Sequence, residues 1–332
     1  MRVLSLINER TDLHAYQATT AIAVEIAKRG TAWVAGLTDV SLDPDGTVVF
    51  AALPVEAQSA DEAVAALTTA NPMEVRSTEL DALLIRTNPG RDKGRTALHE
   101  AALNLCRVAK ARGVVVLNDP DALPKASDKL FLTHLPESLR PKMLVSSDPA
   151  RLRAFVEDGD SAKVLKPLFG SRGQGVFRVR PGGVNLNALI EVLTADGLVI
   201  AQQYLRRASE GDVRIVAVDG ELLTVDGKVC AVRRVPPEGE FRSNIHVGSV
   251  PSRAELKAPR LRAARQIAEL LADQGIWMAG IDLIGTKAVE INVRSPGGLG
   301  HASLFEGVDF TAGVVDSIER RLAERPSSTV AR

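Results

Sequence analysis

Three polar residues near the C-terminus stand inside an apolar stretch and could hold a metal ion. Segments 281–284 and 288–293 are typical of short strands, and the turn 285–287 between them predicts a β-hairpin. Because side chains alternate along a strand, Glu290 and Asn292 point to one face, and Asp282 on the partner strand can share it. Two carboxylates and an amide oxygen at one spot favour a cation between them, and an all-oxygen set favours Mg²⁺ or Mn²⁺. The alternative interpretation is a solvated hairpin face.

A glycine-rich segment in the middle of the chain could bind phosphate. An apolar strand ends at Lys166, and the following segment 168–177 carries Arg172 and three glycines, Gly170, Gly173 and Gly175. Glycine lets backbone N–H groups approach an anion closely, and the arginine adds positive charge. No Gly-Lys-Ser/Thr follows and no helix begins there, so the segment is not a P-loop. Ordinary hairpin turns also use glycine, which leaves the structural alternative open.

Two lysines support a phosphate site. Lys166 ends an apolar strand, where a buried ammonium group is costly unless a negative partner meets it. Lys129 follows Ser127, a possible helix cap, and precedes Leu130 and Phe131. Either lysine could instead lay its stem on apolar surface and keep its charge in water. Together with the glycine segment and the hairpin, the two lysines predict a nucleotide-triphosphate site with its metal.

The composition limits the class of protein. The 332 residues include 41 basic and 41 acidic side chains, so bulk charge gives no reason to expect nucleic-acid or membrane-surface binding. Hydrophobic content of 45% and charged content of 25% are ordinary for a globular protein. Cys106 and Cys230 are predicted to be reduced core thiols. No apolar run approaches the ~18 residues of a membrane span, and residues 1–7 read as a strand, so a cytoplasmic location is predicted.

The first 120 residues alternate between strand and helix patterns. Strands are predicted at 2–7, 31–37, 81–86 and 114–118, with helices at 16–29 and 97–112. Gly30 and Gly113 follow the two helices, as expected of helix C-termini. This alternation predicts an α/β domain with an open, mostly parallel sheet covered by helices.

The remainder of the chain has a different pattern. Strands and two helices are predicted between residues 121 and 200, followed by a β-rich region from 201 to 325 with a hairpin turn at Asp219 and Gly220. A long helix is predicted at Ala254–Asp273 and a last one at Thr311–Glu324. Residues 326–332 have no packing pattern and are predicted to be disordered. These segments predict two further domains and a short tail.

The order of several motifs resembles the ATP-grasp ligases, and among them bacterial glutathione synthetase. The motifs are DKLF (128–131), KPLFGSRGQGVFRV (166–179), AQQYL (201–205), GDVRIVAVDGE (211–221), RRVPPEGEFRSNIHVGS (233–249), GIDLIG (280–285) and EINVRSP (290–296). The likeness runs from about residue 80 to 325. It implies an α/β, or α+β, ATP-grasp fold behind an N-terminal domain with a doubly wound parallel sheet. It also implies a homo-oligomer, either a dimer or a tetramer.

The resemblance assigns roles position by position. It gives the ATP phosphates to Lys129 and Lys166, with residues 170–175 (including Ser171) as a mobile lid over them. It places the adenine edge and the ribose beside Gln202, Gln203, Tyr204, Leu205 and Asp212. It implies that Arg214 stabilises charge on an acyl phosphate. It further implies a second mobile loop that carries or borders Arg234, Arg242 and Asn244, with Arg242 and Asn244 in catalytic roles and Arg234 in contact with substrate. The Mg²⁺ ligands implied are Asp282, Glu290 and Asn292.

The chemistry implied is ATP-dependent ligation. ATP converts a carboxylate into an acyl phosphate, while cationic groups offset the charge on the transferred phosphoryl group. An amine then attacks, an amide forms, and ADP and phosphate leave. No nucleophilic serine, cysteine or histidine is required, and the five histidines (14, 99, 134, 246 and 301) have no triad or metal spacing.

The segments implied to contact substrate depart from the glutathione synthetase pattern. Arg86 fits a strand-end arginine of the family, but Thr87-Asn88-Pro89-Gly90 replaces the acidic, proline-rich segment expected next. Phe169 stands where an aspartate is usual. The glycine-rich segment 295–307, including Ser295, Gly297 and Gly298, replaces a Thr-Cys or similar pair after Ser-Pro. These differences concern the substrates and leave the ATP chemistry intact.

Three functions follow from this reading. The leading one is a ligase of the glutathione synthetase type, acting on a small-molecule carboxylate and an amine. A second is a relative that joins a γ-glutamyl or other amino-acid donor to an amine other than glycine. A third, of another class, is a nucleotide-binding regulatory module without catalysis. The complete set of Lys166, Arg214, Asp282, Glu290 and Asn292 argues against the third.

Overall fold

The N-terminal third forms a sheet whose central strands are parallel. The computed structural model describes residues 1–92, 94–126, 129–168, 174–243 and 248–324. The strands are β1 (Arg2–Leu6), β2 (Thr31–Ala35), β3 (Val40–Leu42), β4 (Val48–Pro54), β5 (Met73–Arg76), β6 (Ala82–Ile85) and β7 (Val115–Leu117). The helices are α1 (Ala18–Arg29), α2 (Ala60–Thr69), α3 (Thr96–Ala111) and α4 (Ala122–Ala126). Strands β2, β1, β6 and β7 lie parallel in that order, as predicted.

An antiparallel extension of this sheet was not predicted from the sequence. Strand β4 runs antiparallel to β2, and both β3 and β5 pair antiparallel with β4. The segment VVFAALP (48–54) is nearly all apolar, so it lacks the alternation that would have distinguished a strand from a buried helix segment. The mixed α/β class holds, with a parallel centre and an antiparallel edge.

The second unit is a four-stranded antiparallel sheet covered by two helices. Its elements are β8 (Met143–Ser146), α5 (Pro149–Glu157), β9 (Lys163–Pro167), β10 (Phe177–Val179), α6 (Leu186–Ala195) and β11 (Val199–Gln203). The strand order is β10-β9-β11-β8. Leu152 and Val156 of α5 pack with Ile190 of α6 on Leu165 and Val199 of the sheet. The boundary predicted between residues 200 and 201 falls inside β11, which belongs to this sheet; the predicted domain boundaries otherwise stay a prediction.

The third unit is a larger antiparallel sheet. Its strands are β12 (Asp212–Val218), β13 (Glu221–Leu222), β14 (Thr224–Val225), β15 (Lys228–Val229), β16 (Ala231–Val235), β17 (Val250–Arg253), β18 (Met278–Ile284) and β19 (Lys287–Asn292). Its helices are α7 (Ala258–Asp273), α8 (Leu299–Glu306) and α9 (Phe310–Ala323). The main strand order is β17-β16-β12-β18-β19, β13 pairs with β12, and β14 and β15 form a separate hairpin. The turn at Asp219 and Gly220 has positive φ at both residues, as predicted for a tight hairpin.

Two predicted elements near the C-terminus need correction. The helix predicted at Ala254–Asp273 begins only at Ala258, and residues 250–253 form the edge strand β17 instead. Pro259 accounts for the later start, because proline fits the first turn of a helix and not its interior. The segment 295–307 is not a loop throughout, since Leu299–Glu306 is helical. The predicted disordered tail, 326–332, lies outside the described residues.

The N-terminal unit and the third unit pack against each other. The Asn118 side chain donates to Met278 O at 2.9 Å and to Val293 O at 3.1 Å, and accepts from Met278 N at 2.6 Å. Helix α1 packs on α9, where Arg29 binds Asp316 at 2.5 Å. The Asn118 contacts place the C-terminal end of β7 beside β18 and the segment that follows β19.

Candidate active site

A cleft of about 840 Å³, open to solvent, lies between the second and third sheets. Strands β9 and β11 contribute one wall, and β12, β18, β19 and residues 241–243 contribute the other. Most of the predicted nucleotide residues line it: Lys129, Lys166, Gln202, Gln203, Tyr204, Leu205 and Asp212. Predicted residues from separate parts of the chain therefore meet in one cleft.

The two predicted phosphate-binding lysines lie together beside Glu290. Lys166 is only 8% exposed, and burial lowers its pKa to about 8, although the carboxylate of Glu290 opposes this shift. Burial also lowers the pKa of Lys129, whose Nζ donates to Pro167 O at 2.8 Å. Burying two ammonium groups near one carboxylate leaves an excess of positive charge. An anionic ligand such as a polyphosphate would compensate it.

The strand at the predicted adenine edge has an unsatisfied acceptor. Gln202 is 4% exposed, and its Oε1 atom is buried without a hydrogen-bond partner among the described residues. A ligand N–H group would remove the cost of that unpaired oxygen. Beside it, Arg178 lies 4.2 Å above the Tyr204 ring, and Phe241 contacts Tyr204 edge-on with 6.0 Å between ring centroids. These features fit a flat heterocycle with an amino group, such as adenine.

Asp282, predicted as a metal ligand, is held by two arginines. It is fully buried, and it accepts from Arg214 Nε and Nη2 at 2.7 Å each and from Arg234 Nη2 at 2.7 Å. Asn292 Nδ2 donates to the same carboxylate at 3.1 Å. Burial raises the pKa of Asp282, but the two guanidinium groups outweigh it and hold the pKa below its usual value. The sequence required a cation beside these polar residues, and the structure supplies guanidinium groups for that purpose.

Asp212 and Arg234 extend this network away from the hairpin. Arg234 donates to Asp212 through Nε at 2.7 Å and Nη2 at 2.6 Å, and Ser243 Oγ donates to Asp212 at 2.5 Å. Burial and the neighbouring charge of Asp282 raise the pKa of Asp212 against the opposing effect of Arg234. Gly211 permits the arrangement, because a Cβ there would lie 2.1 Å from Arg234 O. Arg234 was predicted to contact substrate, but at 6% exposure it lies inside the protein between two aspartates.

The three predicted metal ligands do not fit a metal site equally well. Within the described residues, no cluster of three His, Cys, Asp or Glu side chains is placed to hold a metal. Glu290 pairs with Asp282 across the hairpin, is partly exposed and faces the cleft without a hydrogen bond to a described residue. Asn292 uses its Nδ2 on Asp282, which leaves its Oδ1 available. Glu290 and Asn292 therefore fit a divalent cation, whereas coordination by Asp282 would require an arginine to move.

The remaining predicted residues lie around the cleft or beyond it. Arg242 lines the cleft and pairs with Glu240 at 2.5 Å. Gly175 has positive φ, and a Cβ there would meet Pro167 Cδ at 3.1 Å. Gly298 lies beside Arg214, since a Cβ at this glycine would be 3.6 Å from Arg214 Cδ. The other predicted residues of the lid and second loop, Gly170, Ser171, Arg172, Gly173 and Asn244, lie outside the described residues.

Arg86 and Ser295 lie at a second cavity rather than in the cleft. This cavity has a volume of about 360 Å³ and lies at the end of β1 and β6. Arg86 Nε donates to Thr19 Oγ1 at 3.1 Å, and Thr19 lies 3.2 Å from Ser295 Oγ. Gly297 does not line either cavity, and a Cβ there would meet nothing within 4 Å.

Sequence reasoning missed several residues of both cavities. Phe241, Ser243 and Arg178 were not singled out, nor were Thr19 and Asn8. A signal existed for the charged network, because Asp212 and Arg214 stand together in the otherwise apolar strand β12 and Arg234 lies in β16, whose other residues are apolar except Arg233. The partners of Phe241 and Thr19 are distant in sequence, so no local pattern indicated them.

Comparison with known proteins identifies the family. Residues 128–306 match the model of the prokaryotic glutathione synthetase ATP-grasp domain, and residues 1–123 match that of the prokaryotic glutathione synthetase N-terminal domain. The chain is 32% identical over 318 residues to glutathione synthetase of Prochlorococcus marinus, covering 95% of this chain and 97% of that one. It is 34% identical over 257 residues to glutathione synthetase of Brucella melitensis, covering 76% and 78%.

Solved structures confirm the fold. The D-cycloserine synthetase DcsG is similar with a TM-score of 0.64 at 18% identity, covering 96% of this chain and 99% of the other. The ATP-grasp ligase PsnB gives a TM-score of 0.61 at 16% identity, covering 97% and 99%. No helix in the described ranges is long and apolar enough to cross a membrane. The predicted ATP-grasp fold and ligase class are confirmed: the chain belongs to the prokaryotic glutathione synthetase family and is an ATP-dependent carbon–nitrogen ligase.

Proposed function

We propose that this ligase joins the C-terminal carboxylate of γ-glutamylcysteine to glycine. The donor would be activated as an acyl phosphate, and ADP and phosphate would be released. The observation that carries the proposal is the convergence of Lys129, Lys166 and Glu290 in one cleft, where Glu290 pairs across the hairpin with Asp282, the partner of Arg214. The full-length likeness to proteins named glutathione synthetase supports this donor and amine.

The nucleotide would lie along the cleft. Its base would occupy the space beside Gln202, Tyr204 and Leu205, where Gln202 Oε1 can accept from an amino group. Its phosphates would lie against Lys129 and Lys166, whose buried charges need an anion. The assigned lid at 170–175 would close over the phosphates and exclude water, which otherwise hydrolyses an acyl phosphate.

Mg²⁺, or Mn²⁺, would be held by Glu290 and Asn292, whereas the carboxylate of Asp282, the third predicted ligand, is occupied by Arg214 and Arg234. The cation would supply positive charge against the β- and γ-phosphates. Glu290 contributes a carboxylate in front of both lysines, so it places the cation at the phosphate end of the cleft.

Arg214 is prepared to stabilise the anionic intermediate. The bidentate pair with Asp282 uses Nε and Nη2, so the plane of the guanidinium group is fixed. No described residue accepts a hydrogen bond from its Nη1. A donor fixed before the reaction needs no reorganisation when charge develops on the acyl phosphate, which is the basis of electrostatic catalysis.

The alternative within this class is a ligase that uses another γ-glutamyl or amino-acid donor, or an amine other than glycine. Gly298 supports this alternative, because it leaves backbone without a side chain next to Arg214. A non-catalytic nucleotide-binding module is disfavoured by the family assignment. The cytoplasmic location, the lack of nucleic-acid and membrane partners and the homo-oligomeric state also remain proposals.

Phosphate release in the presence of ATP, Mg²⁺ and pairs of substrates tests the function. We expect release with γ-glutamylcysteine and glycine, and none when either is omitted. Efficient release only with another donor or amine would select the alternative. Release that ignores every added carboxylate and amine would contradict ligation.

A further inference from the structure

Gly280 lies in the interior of strand β18, where the backbone does not require a glycine. It pairs with Val216 of β12 on one side and with Asn292 of β19 on the other. Its φ is not among the positive values that favour glycine. Glycine weakens the interior of a strand, because it has no side chain to pack and loses more conformational freedom on folding. The reason for a glycine at 280 must therefore lie in what approaches it.

The side chain of Arg214 occupies the space beside Gly280. Arg214 lies directly opposite Asp282 on the neighbouring strand, and Gly280 precedes Asp282 by two residues on the same face of β18. A Cβ on Gly280 would lie 3.3 Å from Arg214 Nε and 3.4 Å from Arg214 Cδ. These distances are tighter than ordinary van der Waals contact, so a side chain at 280 requires the arginine to move.

A second glycine beside the same arginine has a different explanation. A Cβ on Gly298, at the N-terminus of α8, would lie 3.6 Å from Arg214 Cδ, which is an ordinary contact. The φ of Gly298 is +117°, a value that residues with side chains rarely adopt, so the backbone alone accounts for this glycine. At Gly280 the neighbouring arginine accounts for the glycine instead.

The Arg214 guanidinium group has little freedom to adjust. Its Nε and Nη2 atoms donate to the two oxygens of Asp282 at 2.7 Å each, and Asp282 is fully buried. Nε is also the atom nearest to the missing side chain of Gly280. A methyl group at 280 would therefore tilt the guanidinium group against Asp282 or break one of the two hydrogen bonds. Either change redirects Nη1, which donates to no described residue.

We propose that Gly280 is a positioning residue for ligation: the absence of a side chain at 280 sets the Arg214 guanidinium group where charge develops on the acyl phosphate. The inference rests on the role that the proposed function gives to Arg214, but not on the identity of the donor or the amine. Electrostatic stabilisation depends on donors that are aimed before the reaction, and a misplacement of about 1 Å can cost roughly 100-fold in rate. Gly280 acts through Arg214 and needs no contact of its own with substrate.

Gly280→Ala and Gly280→Val test the inference through kcat and KM, measured with the donor and amine that the phosphate-release assay selects. The alanine variant should lower kcat by roughly tenfold and the valine variant by more, because the larger side chain displaces the arginine further. The KM for ATP should stay within about twofold of wild type, since Gly280 does not line the nucleotide cleft. A wild-type kcat in both variants would overturn the inference.

A double-mutant cycle shows whether Gly280 acts through Arg214. In Arg214→Gln the guanidinium group is absent and Arg234 still pairs with Asp282, so adding Gly280→Ala should lower kcat by less than about twofold. Arg214→Lys is a second background, which keeps a positive charge but lacks the planar fork, and the penalty should shrink there too. Urea unfolding checks that each variant is folded. A tenfold penalty that persists in both backgrounds would contradict the proposal.

Gly313→Ala supplies the matched control. A Cβ on Gly313, in α9, would lie 2.8 Å from Val225 Cγ2 and 3.1 Å from Leu223 Cδ1, so the added methyl group is crowded more tightly than at Gly280 but not by Arg214. This variant should keep kcat within about twofold of wild type. A tenfold loss here as well would show that crowding in general lowers kcat, and Gly280 would have no specific role.

The results separate this inference from the proposed function. If γ-glutamylcysteine and glycine are not ligated but another pair is, the proposed substrates are wrong, and the cycle measured with that pair still decides the role of Gly280. If γ-glutamylcysteine and glycine are ligated while Gly280→Ala keeps the wild-type kcat, the inference is wrong and the proposed function stands.

Discussion

Arg234, beside the reaction centre, and Arg86, at the second cavity, are almost equally buried but differently paired. Arg234 is 6% exposed and binds two aspartates, while Arg86 is 7% exposed and, within the described part of the chain, binds only neutral acceptors. Breaking a buried ion pair is strongly destabilising, so the paired arginines are fixed parts of the protein. An unpaired buried cation is costly until an anion arrives. The difference distinguishes an arginine held between two carboxylates from one that has only neutral partners among the described residues.

The largest effect on stability and activity is expected at Asp282, which is paired with two arginines. Asp282→Asn removes the negative charge shared by Arg214 and Arg234 and leaves two guanidinium groups in the interior. We expect a loss of about 3–5 kcal/mol in the free energy of unfolding and a loss of ligation of about 1,000-fold or more. Urea unfolding and phosphate release measure the two effects.

A surface ion pair provides the control for Asp282→Asn. Asp316 binds Arg29 at 2.5 Å, but its side chain is 59% exposed. Asp316→Asn should change the free energy of unfolding by less than about 1 kcal/mol and leave ligation unchanged. Similar losses in the two variants would mean that the internal network is not special, and the contrast between paired and unpaired arginines would then fail.

Glu290 is an intermediate case, because it faces two lysines without a hydrogen bond to a described residue. Glu290→Gln removes a predicted metal ligand and, among the described residues, the one carboxylate that opposes the lowering of the pKa of Lys129 and of Lys166. We expect a loss of roughly 100-fold in kcat and a higher Mg²⁺ concentration for half-maximal rate, with little change in unfolding. Rates titrated with Mg²⁺ measure both. Glu221 is an exposed glutamate on β13, and Glu221→Gln should change neither kcat nor the Mg²⁺ requirement. A wild-type Mg²⁺ titration for Glu290→Gln would show that Glu290 is not a metal ligand.

Part of the fold and of the candidate site could be predicted from the sequence. The hairpin, the parallel strands, the two lysines and the strand 199–205 followed from local patterns and from the order of motifs. The partner of Asp282 did not, because a single aspartate in an apolar strand requires a cation without specifying a metal or an arginine. The choice depends on the register of β12 on β18, which places Arg214 directly opposite Asp282, and on that of β16, which places Arg234 opposite Asp212. Register between strands that are distant in sequence is set by tertiary packing.

Lys166 is another buried cation, and its proposed anionic partner is the nucleotide and not an aspartate of the protein. Burial lowers its pKa to about 8, so the nucleotide-free protein loses this charge as pH rises through 8. Bound phosphates favour the charged form, and ATP affinity should therefore fall above pH 8 by up to about tenfold per pH unit. The unfolded chain has the higher lysine pKa, of 10.5, and binds more protons between about pH 8 and 10.5. The contribution of Lys166 to stability should therefore increase with pH in that window.

Calorimetric ATP titrations from pH 7 to 10 measure the effect of Lys166 on affinity. Lys166→Arg keeps its charge throughout this range and should show a flatter pH dependence. Lys163→Arg is the matched control, because Lys163 lies on the same strand but donates to the backbone carbonyls of Asp158 and Ser161. It should retain the wild-type profile. A wild-type affinity that is constant up to pH 10 would exclude Lys166 as a phosphate contact that titrates near 8.

The smallest effect is expected at the end of the cleft where the adenine base is proposed to bind, because the ring contact there carries no charge. Phe241 meets the Tyr204 ring edge-on, and such pairs contribute about 0.5–1.5 kcal/mol beyond the area they bury. Phe241→Leu should therefore raise the KM for ATP by roughly threefold to tenfold and leave kcat and the Mg²⁺ requirement unchanged. Phe177→Leu, at a 42% exposed phenylalanine on β10, supplies the control and should change neither parameter. A fall in kcat for Phe241→Leu, without a change in KM, would instead indicate that this residue acts on the reacting groups and not on the base.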